Sequence, residues 1–508
     1  AVGVMQPRDS VELHNLPLSW QNADGSGASV EAKSMSASIG DGIEVSLNGL
    51  SVKSKWGSAE AEQAHLTRRA GKTEVGASDL SVTAKGERLR LVDLVATNIS
   101  VQERAISLSA SAKEASLPGD LAAQGLEATL SAELTNPGVR VQIHARVRSV
   151  AGKHGAISAD SVALATASVD GVIEARAADD WSLAADTAVG QVLIKVAGGR
   201  SPSGWKASAN MEWTPCTNVL EAIPSSMKRE LAGLQLDGDI RGSIGLVEAD
   251  GQAPEVAFEL GNKCKVVRPP DQVAAAMAGK SFTRTVYSAA GKPTDKSVTI
   301  GWAGWTPLSA ISPYMAKAVV TTEDPGFWGH KGVDVEAVRN SIRDNIKDRK
   351  FTRGASTITM QLAKNLFLSR EKTAARKVQE FFLVMVLEQR LTKDRILEAY
   401  LNVIEFGPDV WGIGQASHHY FGVEPSRLSL AQSVFLASIL PRPRAIYFGT
   451  DNKLHEARRS YVSLLLDLML RRGSITDEEC RMGKEESLVF GSPVSETGAV
   501  DATEWIVQ

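Results

Sequence analysis

Hydrophobic positions along this chain change period once, and the change divides it. Up to about residue 265, apolar residues fall at every second position in short runs. Val139, Val141, Ile143, Ala145 and Val147 form the clearest one, with the spacing of a strand half-buried on one face. Similar runs lie at 45–52, 89–99, 106–112, 162–169 and 192–196. Turn residues punctuate them, as at Asp41-Gly42 and Asn136-Pro137-Gly138. This predicts a long antiparallel sheet over 1–265. A helix is predicted at 216–231, followed by two short strands around a glycine turn in GLQLDGDIRGSIGL. Residues 266–300 read as a connector with one strand at 283–287. From Trp305 the period becomes helical, at 308–321, 334–346, 356–368, 373–391, 393–404, 429–440 and 453–472. Thr476 is placed to cap one more helix. The fold class expected is multidomain α+β, with an antiparallel β-rich N-terminal domain and a mainly α domain over 301–508.

Composition narrows the class without naming it. A chain of 508 residues exceeds what one core organises. At 43% hydrophobic and 23% charged it is a folded protein, and a net charge of −3 supplies no field for nucleic acid. No apolar run reaches 18 residues, so no spanning helix is expected. The chain begins at Ala1 rather than Met, so an anchor or signal is expected outside it. Cys216 and Cys264 could pair in an oxidising compartment or stand as separate thiols, with Cys480 left free.

The chemistry gathers between residues 320 and 402. Glu323 lies in a turn beside Phe327 and Trp328, a setting that desolvates a carboxyl and makes it a better base near neutral pH. Lys364, Arg353, Arg376 and Lys377 are candidate donors to a phosphorylated group. Ser356 and Thr357 open a helix whose free N–H groups favour an anion. Glu380 follows Arg376 by four residues and Lys377 by three, so the three share a helix face. His330 reads as structural, as do the isolated His144 and His154. The run 381–387 is apolar all round and reads as buried core.

Four ordered motifs carry a resemblance. TTEDPGFWGHKG, RGASTITMQLAKN, RKVQE and KDRILEAYLN are similar to the signatures of the peptidoglycan glycosyltransferases, family 51. GIGQASHHYFG and LSLAQSVFLASILPRP continue the likeness, which covers about Trp305 to Phe448. The resemblance implies a lysozyme-like α domain that polymerises lipid II into β-1,4 glycan with release of undecaprenyl diphosphate. It implies Glu323 as general base and Glu380 as second catalytic glutamate. It further implies substrate contacts from Asp324, Arg353, Ser356, Thr357, Gln361, Lys364, Asn365, Arg376 and Lys377. No cofactor is required, and no metal ligand set is visible, although Glu380 leaves room for a divalent cation (Mg or Mn). Expected partners are lipid II, the growing strand and the membrane surface, at the periplasmic face of a bacterial inner membrane. A lipid-facing patch is expected near 328–351.

The sequence departs from the family in places. Met360 stands for a Gln, and Gln432-Ser433 for an acidic residue and Ala. Few residues follow Phe448 and no transpeptidase motif series is present, so no cross-linking activity is expected. The β-rich half has the texture of AsmA-type envelope domains, and it reads as a scaffold or a surface for an envelope partner. The alternatives are a lysozyme-like hydrolase with two carboxylates, or a non-catalytic envelope scaffold.

Overall fold

The computed structural model describes residues 10–490, except 22–26, 55–56, 85, 118–120, 154, 156–157, 159, 178, 250–251, 288–291, 300, 302–303, 351–353, 370–372 and 449–452. Arg353 and His154 lie outside the described residues. The chain divides into two compact units, 1–227 with 238–263, and 228–237 with 264–508.

The first unit is a 17-stranded antiparallel sheet among the described residues. Most strands pair with their neighbour in sequence, so the sheet grows as a meander. One row of side chains runs Val45, Leu66, Val75, Ala96, Ala110, Ala128, Ala145, Val169, each directly opposite the next. Period-two alternation therefore places one apolar face across many strands. Several strands rest on Ala and Ser in place of Val and Ile, as in Gly57–Arg69 (GSAEAEQAHLTRR), and those are the ones periodicity does not find. His144 pairs with Asp170 across adjacent strands on the exposed face.

Three local expectations are corrected. The helix expected at 216–231 is α1, Cys216–Ala222, followed by two 3-10 turns. Pro224 lacks the N–H that continuation would need. The two strands around Gly238 do not pair with each other: Gln235–Asp237 pairs with Lys265–Arg268, whereas Asp239–Ala249 joins the long sheet. The presumed connector is folded into the second unit. It holds α2, Asp271–Met277, and a hairpin of Phe282–Tyr287 with Pro293–Val298. Cys216 and Cys264 are each disulfide-bonded, and Cys480 is a buried free thiol.

The helices of the second unit are α3 Pro313–Glu323, α4 Val335–Lys347, α5 Ile358–Phe367, α6 Ala374–Arg390 and α7 Lys393–Val403. They continue as α8 Gly412–Phe421, α9 Leu430–Ile439, α10 Glu456–Arg471 and α11 Asp477–Glu485. Side-chain caps set several starts: Asp334, Thr357, Thr373, Thr392, Ser429 and Thr476 each accept an N–H from the first turn. Gln432 completes a capping box with Ser429, a task an acidic residue would also perform. The first helix starts late, at Pro313, because residues 308–310 form a 3-10 turn. Helix α8 escapes hydrophobic periodicity because Gly412, Gly414, Gln415 and Ser417 dilute its apolar face.

Helix α5 packs on α6 and α7, and α3 packs on α9. Residues Phe382 to Leu387 of α6 are buried, as an all-apolar run requires. No helix is long and apolar enough to cross a membrane among the described residues. Gly412 adopts φ +79, and a Cβ there would lie 2.4 Å from the Asn402 carbonyl oxygen. Gly412→Ala is therefore expected to destabilise the second unit by at least about 2 kcal/mol, read as a lowered Tm.

Candidate active site

Helix α3 ends at Glu323, and Asp324 turns the chain out of it with Pro325 following. Asp324 is buried, and both of its oxygens are engaged. Oδ2 accepts the Ile358 N–H at 2.9 Å, at the start of α5. Oδ1 accepts from His330 Nε2 at 2.8 Å. His330 Nδ1 in turn accepts the Gly332 N–H at 3.0 Å, which fixes the tautomer with the proton on Nε2. Thr357 is buried, donates to the Gly332 carbonyl at 2.6 Å and caps α5. Gly332 has φ +87, and a Cβ would sit 2.3 Å from Val384 Cγ1, so glycine is required where the loop crosses α6.

The anion at the N-terminus of α5 is Asp324 itself, with its charge favoured by the helix dipole. Asp324 and Thr357 thus hold the loop to the helix, their side-chain oxygens engaged within the protein. His330 bridges Asp324 and the Gly332 N–H within the loop.

Glu323 is half-buried. Its Oε2 accepts from Gln361 Nε2 at 2.9 Å, and Gln361 Oε1 accepts from the Tyr400 hydroxyl at 3.0 Å. Burial raises the Glu323 pKa above its usual value; the Gln361 hydrogen bond and the Lys364 charge oppose this, and the Asp324 charge adds to it. Tyr400 is fully buried, and burial, then the charges of Glu323 and Asp324, keep its phenol neutral and donating. The relay Tyr400, Gln361, Glu323 is directional: each donor has one acceptor. Periodicity reads Tyr400 only as core, and nothing in the spacing marks its hydroxyl.

Gln361, Lys364 and Asn365 share one face of α5, and with Arg376 they line a cavity of about 580 Å³. Asn365 donates to the Gln361 carbonyl at 2.8 Å. Further lining comes from Arg284 of the hairpin, Trp411, Arg442 and Arg444, with Glu405 bonded to Arg444 at 2.6 Å. The cation excess makes this a cleft for an anion. Arg284, Arg442 and Arg444 lie far from the other cations in sequence, and only folding brings them together.

Glu380 is buried and takes a cation on each oxygen, Arg376 on Oε2 and Lys377 on Oε1. Lys377 also donates to Ser356 at 3.4 Å, linking α6 to the residue before the α5 cap. Glu380 thus organises the basic groups. Both of its oxygens are taken by these cations, and no cluster of three or more His, Cys, Asp or Glu that could hold a metal exists among the described residues.

The fourth motif is a brace. Glu398 accepts from Trp305 Nε1 at 2.8 Å and from the Leu308 N–H at 2.9 Å. Asn402 pairs with both the N–H and the carbonyl of Thr306. Together they fix the segment entering α3, and so the position of Glu323.

A half-buried carboxyl thus stands at the end of α3, joined through Gln361 to a cation-lined cleft. A family model described as Transglycosylase matches residues 295–467. Among relatives called biosynthetic peptidoglycan transglycosylase, that of Nitrosomonas eutropha is 50% identical over 140 residues, covering 28% of this chain and 57% of its own. That of Janthinobacterium sp. (strain Marseille) is 42% identical, covering 33% and 70%, and that of Chromobacterium violaceum 45%, covering 32% and 73%. The chain belongs to the biosynthetic peptidoglycan transglycosylase family. It spans little more than half the length of the Nitrosomonas relative.

A carboxyl whose pKa is raised on folding favours its protonated form in the folded state. Its stabilising contribution is present below the unfolded pKa and is lost as pH rises through the folded one. Glu323→Gln keeps the acceptor for Gln361 and removes the charge. Its Tm is expected to exceed that of the unaltered chain at pH 7, with the difference shrinking toward pH 4.

Proposed function

We propose that this chain is a peptidoglycan glycosyltransferase that extends glycan strands from lipid II. The Glu323 carboxylate takes the proton of the acceptor sugar's 4-hydroxyl. That oxygen attacks the anomeric carbon of the donor sugar, the bond from this carbon to the diphosphate breaks, and the electron pair leaves with undecaprenyl diphosphate. A single displacement inverts the anomeric centre and gives a β-1,4 linkage. Lys364 and Arg376, with Lys377 held by Glu380, receive the charge that develops on the leaving group.

The observation that carries this reading is Gln361. Its amide holds Glu323 while the same residue lines the cation-rich cleft, so base and leaving-group site share one wall. A hydrolase acting on finished glycan would have no diphosphate for those cations to meet. The polyprenyl tail places the work at the periplasmic face of the inner membrane. Trp328, 54% exposed, and the exposed Arg349 and Lys350 in the turn after α4 are residues of the types suited to the headgroup layer.

Labelled lipid II resolved on a gel is the direct test. The unaltered chain is expected to give a ladder of strands, and Glu323→Gln to reduce the rate by at least about 10²-fold, as loss of a general base does. Release of fragments from purified sacculi, without a ladder, would overturn the proposal in favour of a hydrolase. Because the Glu323 pKa is raised, the acid limb of the kcat/KM profile is expected above 4.5. Tyr400→Phe removes the donor that orients Gln361. It is expected to lower kcat about tenfold with little change in KM, since the relay positions the base rather than the substrate.

A further inference from the structure

The usefulness of Arg376, Lys377 and Glu380 depends on where α6 is placed. The buried run from Phe382 to Leu387 packs the middle of that helix into the core all round. The polar residues flanking that run are held by segments that lie outside residues 295–467 of the family match. The Glu230 N–H donates to Gln379 Oε1 at 3.0 Å. Ten residues on, Gln389 Oε1 accepts the Val266 N–H at 2.9 Å, and its Nε2 donates to the Cys264 carbonyl at 2.8 Å. Arg390 donates to the Val266 carbonyl at 2.9 Å. The strand Lys265–Arg268 pairs with Gln235–Asp237, so the Gln389 amide also satisfies main-chain groups of that small sheet, as a neighbouring peptide would. The strap is tied together by the Asp271 N–H on the Ala232 carbonyl at 3.0 Å and by Gln272 on Glu230 at 3.0 Å.

Two pins ten residues apart lie about 15 Å apart along a helix and roughly 80° apart around it. Pins so placed oppose both sliding and rotation. Gln379 is buried and adjoins Glu380, so rotation about the axis would move the Arg376–Glu380–Lys377 group directly. The chain passes between the units at 227/228, 237/238 and 263/264, and each crossing leads into this strap.

We propose that Gln379 and Gln389 are positioning residues, through which the strap of residues 229–237 and 264–268 sets α6 and its diphosphate-binding cations. The proposal rests on the reaction assigned above for its kinetic readout, but not for its binding readout. Gln379→Leu and Gln389→Leu keep side-chain size and remove the pins. Each is expected to weaken binding of inorganic pyrophosphate, measured by calorimetry on the full chain, by about tenfold, and to raise KM for lipid II by a similar factor with kcat less affected, given the cost of displacements near 1 Å. Gln389→Glu keeps the acceptor for Val266, loses the donor to Cys264 and adds a charge, and is expected to fall between. Its folding is expected to match the unaltered chain, because residue 389 is exposed. Pyrophosphate affinity and KM unchanged in Gln389→Leu and Gln389→Glu, or a loss that follows only Tm, would overturn the proposal. An unaltered chain that binds pyrophosphate but makes no polymer would count against the assigned reaction, while the binding arm still decides the strap.

Discussion

One buried carboxylate, Asp324, holds the arrangement together. It accepts the first N–H of α5 and the Nε2 proton of His330, and so joins the end of α3, the loop after it and the helix carrying Gln361 and Lys364. A buried charge is tolerated only when its lone pairs are met and a favourable field surrounds it. Here a helix N-terminus and a tautomer-fixed imidazole supply both. Glu323 is the residue immediately before it, and its setting follows from that anchor. The two adjacent acids thus divide the work: one is satisfied and structural, the other is half-buried and held by a single amide.

That division explains why the relay through Gln361 matters. Glu323 has a raised pKa because burial outweighs the Gln361 hydrogen bond and the Lys364 charge. Further hydrogen bonds would make it a weaker base, and full exposure would return it to an ordinary carboxyl. Tyr400 behind Gln361 keeps the amide oriented without adding charge. On α6, Glu380 binds two cations and limits how far they can wander, and one of them, Arg376, lines the cleft.

Much of this was legible in the residues. Glu323, Lys364, Arg376 and Glu380 stand in short local motifs, and helical spacing alone puts the last two on one face. The helices of the second unit follow from apolar periodicity and from caps such as Thr357 and Thr373. What could not be read depends on distant contacts. Asp324 and Thr357 sit beside functional residues, and only the folded chain shows their oxygens already taken. Arg284, Arg442 and Arg444 reach the cleft from segments over 150 residues apart. The β-rich half shows its sheet where Val and Ile alternate, and hides it where Ala and Ser do.

The brief excursion of residues 228–237 into the second unit has a consequence for how the protein is made and dissected. On the ribosome, Gln235–Asp237 emerges before the strand it pairs with, Lys265–Arg268, and Asp239–Ala249 and Glu255–Asn262 of the long sheet emerge between them. Completion of the sheet and the start of the helical unit are therefore interleaved in time. A fragment ending near residue 263 would keep Gln235–Asp237 without its mate, and one starting there would lack it. The native boundary is a braid in the backbone, which no single cut can undo.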